Sequence, residues 1–429
     1  MEPLRIGLCG IGTVGQGVLA LLAANGPAIS RQAGRPIEVV RIASRTPKPS
    51  VVPPGVPFTT DIADVVADPR VEVVVETIGG VDAAGRLFQQ CIEARKNVVT
   101  ANKALIAIHG ARLLPAARKA GICVGFEGAV AGGIPIIKAL REGLAGNAIN
   151  WIAGIINGTS NYILTEMAGG ADFAKALAAA QALGYAEADP TFDVEGVDAA
   201  HKLAILAALA FGIRLDPNAV YTEGISRIGV EDLDYAAALG YRIKHLGIAR
   251  RTAAGIEMRV HPTLIPERRL IAKVDGVMNA VVVNSDAVGS SLYYGPGAGA
   301  LPTASAVLAD LIDIARGNAV DVPADTGVEA LPISEVTTAY YLRIPAVDQP
   351  GVLAKVAQIL SVNGISIEAV IQREHAIRST GAVPWVPVII LTHRVVESAM
   401  DAAVAAIQSL DEVVHPITRI RVETLDEHA

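Results

Sequence analysis

The chain has 429 residues, 52% of them hydrophobic and 18% charged, and a formal net charge of -7. That length holds two to four domains, and the low charge content excludes a disordered chain in favour of a well-buried, enzyme-like core. There is no basic stripe for nucleic acid, and the longest uncharged apolar helical run, Leu203 to Ile213, is too short to span a bilayer.

Leu4 to Cys9 reads as an apolar strand. GIGTVG follows, with Gly10, Gly12 and Gly15 in GxGxxG register around Thr13 and Val14, and then a helix over Gln16 to Ala24. Strand, glycine turn and helix in this order form a dinucleotide fingerprint. The glycines let the backbone approach a pyrophosphate, which the helix N-terminus stabilises. The second strand, Ile37 to Ala43, comes late because Asn25 to Pro36 inserts a loop. An acidic residue at its end would read a ribose 2′-hydroxyl. The sequence offers Ser44, Arg45, Thr46, Pro47 and Lys48 instead, which suits a 2′-phosphate and favours NADP(H) over NAD(H). The alternative is a solvated basic loop.

A buried strand over Val71 to Thr77 ends at Gly79-Gly80. Helix Asp82 to Ala94 and strand Asn97 to Thr100 lead to Lys103, and strand Ile122 to Phe126 leads to Glu127. Both residues stand at carboxyl ends of strands, where open parallel sheets bind ligands. Glu127 opens EGAVAGGIP, a glycine-rich turn with many available carbonyls; the alternative is a plain helix-entry turn. The three cysteines, Cys9, Cys91 and Cys123, are far apart and read as small hydrophobes in a reducing compartment. With Glu2 and Arg5 running at once into a strand, no signal peptide is expected, and the location is read as cytoplasmic.

From Ala148 the pattern changes to a strand over Ile149 to Ile156, the capping turn NGTSN (Asn157 to Asn161), and helices Asn161 to Ala168 and Asp172 to Leu183. Gly184 to Lys202 reads GYAEADPTFDVEGVDAAHK, with five carboxylates (Glu187, Asp189, Asp193, Glu195, Asp198) and one lysine. Pro190 keeps the first half irregular, and Val197 starts an apolar helix. Asp198 and Lys202, four apart, share one helical face. Held rigidly at the mouth of a buried helix, the two can grip a polar substrate and move a proton. The alternative is a surface ion pair worth a few tenths of a kcal/mol; the apolar continuation argues against it.

Arg242 to Ala249, Ile256 to His261, Ala280 to Ser285 and Ser290 to Tyr294 read as a mixed, largely antiparallel sheet with one face against helices. A glycine loop (Gly295 to Gly299) precedes helix Thr303 to Arg316, expected to pack back on the first domain. Val320 to Glu335 reads as a linker, so a chain ending near Glu335 is expected to retain an intact catalytic core. Beyond it, Ala339 to Ile344, Gly351 to Val362, Ile365 to Gln372, Trp385 to Thr392, Glu397 to Leu410 and Ile417 to Glu423 follow the ferredoxin-like βαββαβ order. Asp348-Gln349-Pro350-Gly351-Val352-Leu353 joins the first strand to the first helix. Its N–H groups suit an amino acid's carboxylate.

GIGTVG, VTANKALIA, EGAVAGGIPII, NGTSNYIL, GYAEADPTFDVEGVDAAHK and GPGAGALPTASAV stand here in the order seen in homoserine dehydrogenases, which the chain resembles over essentially its whole length. DQPGVL within βαββαβ resembles an ACT regulatory domain, and with no kinase region ahead of it the chain resembles the monofunctional form. The resemblance implies an α/β architecture: a Rossmann domain over 1–146 completed by helix 302–318, a substrate and dimerisation domain over 147–301, a linker over 319–336 and an ACT domain over 337–429. It implies interconversion of L-homoserine and L-aspartate 4-semialdehyde with NADP or NAD in threonine, methionine and isoleucine biosynthesis, in a homodimer or homotetramer. Lys202 is then the general acid/base, with Lys103 between cofactor and substrate. Glu187 and Asp198 hold substrate, together with Gly158, Thr159 and Tyr185. Thr77, Gly79, Gly184 and Gly299 join the cofactor contacts. A sodium-type cation takes carbonyls of Glu127, Val130, Gly132 and Ile134, and L-threonine is the implied effector. Two rival readings are an aspartate-semialdehyde dehydrogenase, which needs a catalytic cysteine that none of the three resembles, and a non-catalytic amino-acid sensor, against which intact Lys103, Asp198 and Lys202 argue.

Overall fold

The computed structural model describes residues 2–318, 325–372, 378–380 and 383–426. The opening part of the expected linker, 319–324, lies outside them. In chain order the first module has strands β1 (Leu4–Cys9), β2 (Ile37–Ala43), β3 (Phe58–Thr59), β4 (Val73–Glu76), β5 (Asn97–Thr100) and β6 (Val124–Gly125). Its helices are α1 (Thr13–Ala33), α2 (Ala63–Ala67), α3 (Asp82–Glu93) and α4 (Lys103–Ala120). The six strands are parallel in the order β3-β2-β1-β4-β5-β6, the Rossmann arrangement expected from the glycine fingerprint.

One expectation needs correcting here. The loop placed over Asn25 to Pro36 is mostly helix, because α1 runs through Asn25, Gly26 and Pro27 to Ala33 and ends at Gly34 with φ +77°. Ile29 and Ala33 are buried, so packing holds the last turns in place despite the proline.

The middle module begins with α5 (Ile136–Lys138), then β7 (Ile149–Ile155), α6 (Gly158–Ala168), α7 (Phe173–Ala182), α8 (Thr191–Val194) and α9 (Val197–Phe211). It continues with β8 (Tyr221–Thr222), α10 (Val230–Ala238), β9 (Tyr241–Arg251), β10 (Ile256–Pro266), β11 (Met278–Ser285) and β12 (Gly289–Pro296). Helix α11 (Ala300–Ala315) then lies against α1, and Arg316 donates to the Gln32 carbonyl at 2.6 Å. The third module comprises β13 (Thr337–Val347), α12 (Val352–Val362), β14 (Ile367–Ile371), β15 (Arg378–Thr380), β16 (Val383–Thr392), β17 (Val395–Val396), α13 (Glu397–Gln408) and β18 (Thr418–Val422).

The second and third modules share one sheet, in the order β12-β11-β7-β9-β10-β18-β13-β16-β14. The C-terminal strand β18 pairs in parallel with β10 on one side and antiparallel with β13 on the other. The seam is ionic and buried. Arg250 donates to Glu423 at 2.9 Å, and Arg259, fully buried, pairs with both Glu423 and Glu257. Burial would raise the Glu423 carboxyl, but Arg259 and Arg250 outweigh it and hold it at about 2. Arg343 of β13 grips Asp232 of α10 through two bonds, at 2.6 and 3.1 Å. The third module is therefore not separable at the linker. Cutting near Glu335 would remove β18, open the edge of β10 and take Glu423 away from buried Arg250 and Arg259, so the expectation of an intact core after such a cut conflicts with the sheet topology.

Candidate active site

Helix α9 supplies the centre of the site. It starts at Gly196, where φ is +83° and a Cβ would meet His245, Thr222 and Val260 at 3.0–3.1 Å, so only glycine fits the entry. Apolar residues from Leu203 to Phe211 bury the rest of the helix, and this fixes Asp198 in its first turn and Lys202 one turn later. Both are buried, at 2% and 8% exposure. That rules out the surface-pair alternative.

Lys202 Nζ donates to Asp198 Oδ2 at 2.6 Å and to the carbonyl of Ile156 at 2.7 Å. Lys103, the first residue of α4, comes from the other module and pairs with Asp198 Oδ1. Its ammonium lies 5.8 Å from the centre of the Phe192 ring, whose edge meets His201. Burial would raise the Asp198 carboxyl, but the ammonium groups of Lys202 and Lys103 hold it well below the usual carboxylate range. Burial lowers the Lys202 ammonium, and Asp198 opposes this only in part.

Asn157 was legible only as a helix cap. Its Oδ1 does cap α6, accepting from Ser160 N at 2.8 Å, while Nδ2 donates to Asp198 Oδ2 at 2.8 Å and to Asp193 Oδ1 at 2.7 Å. It thus ties the irregular half of the carboxylate-rich stretch to the helical half. Glu76 is a second residue the sequence reading passed over; the signal was a glutamate inside an apolar strand. Buried at the end of β4, it accepts from Thr100 Oγ1 at 2.5 Å and from Ile78 N at 2.8 Å, and so fixes the turn that enters Gly79 and Gly80.

A cleft of about 420 Å³ runs past this cluster. Thr13, Val14, Thr77, Gly79, Lys103, Lys202, Gly132 and Gly299 line it. Its phosphate end fits a dinucleotide. A Cβ on Gly10 would meet the Thr77 carbonyl at 2.6 Å and one on Gly15 the Gly10 carbonyl at 2.1 Å, whereas Gly12 has nothing within 4 Å. No side chain caps α1 at Gly12, so its first N–H groups remain available to an anion. Lys48 folds back to donate to the Ile11 carbonyl of this turn at 3.3 Å, and Arg45 stands exposed at the end of β2.

Other expected site residues are placed apart from the cluster. Gly184, Tyr185 and Glu187 occupy an exposed loop and do not line the cleft. Among the described residues the Glu187 side chain has no hydrogen-bond or ion-pair partner. Thr159 tethers that loop by donating to the Tyr185 carbonyl at 2.6 Å, and Gly158 packs tightly on Val277. Of the four carbonyls expected to hold a cation, those of Val130 and Gly132 accept no hydrogen bond among the described residues. Those of Glu127 and Ile134 accept from Val130 N and Ile136 N. The Glu127 side chain points elsewhere, accepting from Ile137 N at 3.0 Å and Lys138 N at 2.8 Å. Burial pushes its carboxyl up to about 7. No three His, Cys, Asp or Glu side chains converge on a metal position among the described residues. In the third module, Gly351 (φ +94°) caps α12, Val352 is buried, and Asp348, Pro350 and Leu353 are exposed. No helix of the described residues is long and apolar enough to cross a membrane.

Three family profiles match the chain: "Homoserine dehydrogenase, NAD binding domain" over residues 10–127, "Homoserine dehydrogenase" over 135–312 and "ACT domain" over 340–412. A homoserine dehydrogenase of Pseudomonas aeruginosa is 57% identical, covering 99% of this chain and 100% of that one. The crystal structure of a homoserine dehydrogenase from Thiobacillus denitrificans is 53% identical and superposes with a TM-score of 0.94 over 99% of each chain. A hyperthermophilic archaeal homoserine dehydrogenase in complex with NADPH is 25% identical, with a TM-score of 0.64 over 75% of this chain and 100% of that one.

Proposed function

The chain belongs to the homoserine dehydrogenase family, and on that premise we propose that it oxidises L-homoserine to L-aspartate 4-semialdehyde, and reverses the reaction, with NADP(H). The observation that carries this reading is the single carboxylate of Asp198 shared by Lys103 and Lys202, beside a cleft that begins at a dinucleotide-type glycine turn. The bound nicotinamide supplies the hydride acceptor. Oxidising an alcohol also requires its hydroxyl proton to leave, and Lys202, its ammonium destabilised by burial, is the group that takes it in the amine form and returns it in the reverse direction. Asp198 keeps the two lysines in register, and Lys103 steadies the oxygen as it gains negative charge. Asp198 and Glu187 are read as the residues that engage the substrate's polar ends. Glu187 reaches that role only if its exposed loop folds over the cleft.

Arg45 and Lys48 support NADP over NAD, as does the NADPH held by the archaeal relative. A sodium-type cation is assigned to the carbonyls of Glu127, Val130, Gly132 and Ile134, where it would brace the turn beneath the cleft. The pathway reading is threonine, methionine and isoleucine biosynthesis in the cytoplasm, in a homodimer or homotetramer. Feedback by L-threonine is assigned to Asp348, Pro350, Gly351, Val352 and Leu353 of the ACT module. The decisive experiment is a spectrophotometric assay with homoserine and NADP+, repeated across a threonine titration. Reduction of NADP+ dependent on homoserine supports the activity, and its absence in folded protein rejects it.

A further inference from the structure

Lys103 is held differently from Lys202. Lys202 has two fixed acceptors, Asp198 Oδ2 and the Ile156 carbonyl, and Asn157 also donates to that Oδ2. Lys103 has one polar partner among the described residues, Asp198 Oδ1. A single oxygen fixes the distance of an ammonium group but leaves its four-carbon stem free to swing around it. The second restraint is aromatic. The Lys103 ammonium stands 5.8 Å from the centre of the Phe192 ring, within the roughly 6 Å reach of a cation–π contact. We propose that Phe192, braced by His201, is a positioning residue that sets where the Lys103 ammonium stands in the cleft. The inference deepens the proposed homoserine oxidation and rests on the role given there to Lys103.

Both aromatic residues lie in the Gly184 to Lys202 stretch. Phe192 is 41% exposed, so burial in the core does not account for its placement. Its backbone is nevertheless fixed. It is the second residue of α8, and the next residue, Asp193, is held twice: Asn157 Nδ2 donates to its side chain at 2.7 Å and Ser160 Oγ to its carbonyl at 2.9 Å. His201 meets the Phe192 ring edge to face, with 5.4 Å between ring centres and 83° between planes. His201 stands one turn after Asp198 on α9, so the helix that carries the carboxylate also carries the brace. The buried Nδ1 of His201 has no hydrogen-bond partner among the described residues, which leaves packing on Phe192 to orient the imidazole. Burial lowers the His201 imidazole, Asp198 opposes this and Lys103 adds to it, so at neutral pH the ring brings no second cation to Lys103.

An aromatic face restrains a cation without neutralising it. A second carboxylate at this position would grip Lys103 more tightly, but it would compete with the substrate oxygen for the same ammonium. The ring leaves that charge available to the oxygen as it becomes negative in the transition state. The contact also crosses the cleft, since Lys103 begins α4 of the nucleotide-binding module and Phe192 belongs to the middle one.

The test uses the full chain and two readouts. Phe192→Leu keeps apolar bulk and removes the ring, whereas Phe192→Tyr keeps the ring. Phe192→Leu is expected to lower kcat about tenfold while leaving NADP(H) affinity unchanged and the melting temperature within a few degrees; Phe192→Tyr should keep kcat within about threefold. In a Lys103→Ala background the same leucine change should cost less than about twofold more, because the ring acts only through the lysine. The second readout needs no turnover. Reductive methylation of Lys103 by formaldehyde and a borane reagent, followed by peptide mass spectrometry, should be about two- to fivefold faster in Phe192→Leu and unchanged in Phe192→Tyr. His201→Ala should show the same losses to a smaller degree, and His201→Phe should recover them. The proposal is overturned if Phe192→Leu keeps native kcat and native labelling, if its effect persists in full without Lys103, or if neither conservative variant recovers native behaviour. Should the native protein fail to oxidise homoserine, the activity is rejected, and the labelling rates alone decide whether the ring places Lys103.

Discussion

Lys103 and Lys202 stand on opposite oxygens of one carboxylate, that of Asp198, although Lys103 belongs to the nucleotide-binding module and Lys202 to the helix that fills the middle one. Closing the two modules onto each other completes the site. The shared anion lets two ammonium groups approach without uncompensated repulsion.

Replacing Lys202 with alanine is expected to lower kcat about 10²-fold or more, the usual scale for a general acid/base, and to leave cofactor affinity unchanged. With Lys202 as the proposed base, homoserine oxidation is expected to need its amine form, so the rate should rise with pH through the depressed pKa of Lys202, and the reverse reaction should fall. Steady-state pH profiles of the native enzyme and Lys202→Ala check this. A limb that persists in the variant assigns the proton to Lys103 or another group.

Arg45→Ala should weaken NADP(H) binding by about tenfold or more while changing NAD(H) little, because only the former carries a 2′-phosphate for a guanidinium to hold. Cofactor titrations by fluorescence measure both affinities. Equal losses would return the segment Ser44 to Lys48 to a solvated basic loop.

The seam between modules should behave as a structural unit. Glu423→Gln removes one of the two carboxylates that face buried Arg259 and Arg250, leaving only Glu257 among the described residues, and the cost is expected to be about 3–5 kcal/mol. A chain ending near Glu335 should be worse, since it also loses β18 from the edge of β10. Denaturant unfolding and circular dichroism of the two proteins test this; a truncated chain that melts cooperatively near the native temperature would refute it.

Glu127 gives a pH signature of the opposite sign to an ordinary ion-paired carboxylate. Burial raises its pKa from 4.5 to about 7, so the folded protein holds the proton more tightly than the unfolded chain. Its contribution is full below pH 4.5 and is lost as pH rises to about 7, a difference on the order of 3 kcal/mol. The buried His245 and His261, whose pKa values burial lowers, act in the reverse sense. The readout is therefore the difference between native and Glu127→Gln stability, which should shift in the variant's favour as pH rises across that window. A pH-independent difference would show that Glu127 is ionised throughout.

Local signals carried much of this protein. The glycine spacing after β1 dictated the dinucleotide turn, because only glycine tolerates the contacts at Gly10 and Gly15. The helical period put Asp198 and Lys202 on one face, the alternation of strand and helix after the linker read correctly as a ferredoxin-like βαββαβ unit, and the resemblance carried by DQPGVL marked that unit as an ACT domain. Long-range pairing was not legible. Nothing local says that Lys103, far earlier in the chain, meets Asp198, that Asn157 spans two halves of one motif, or that Glu76 fixes a turn by reaching Thr100. Propensity misjudged α1, where packing of Ile29 and Ala33 carries the helix past Pro27. Likewise the linker looked like a point of separation because composition reports chain stiffness and says nothing about which strand fills which edge. Only the tertiary structure decided that β18 closes the edge of β10, since strand pairing and buried charge depend on what the folded chain brings together.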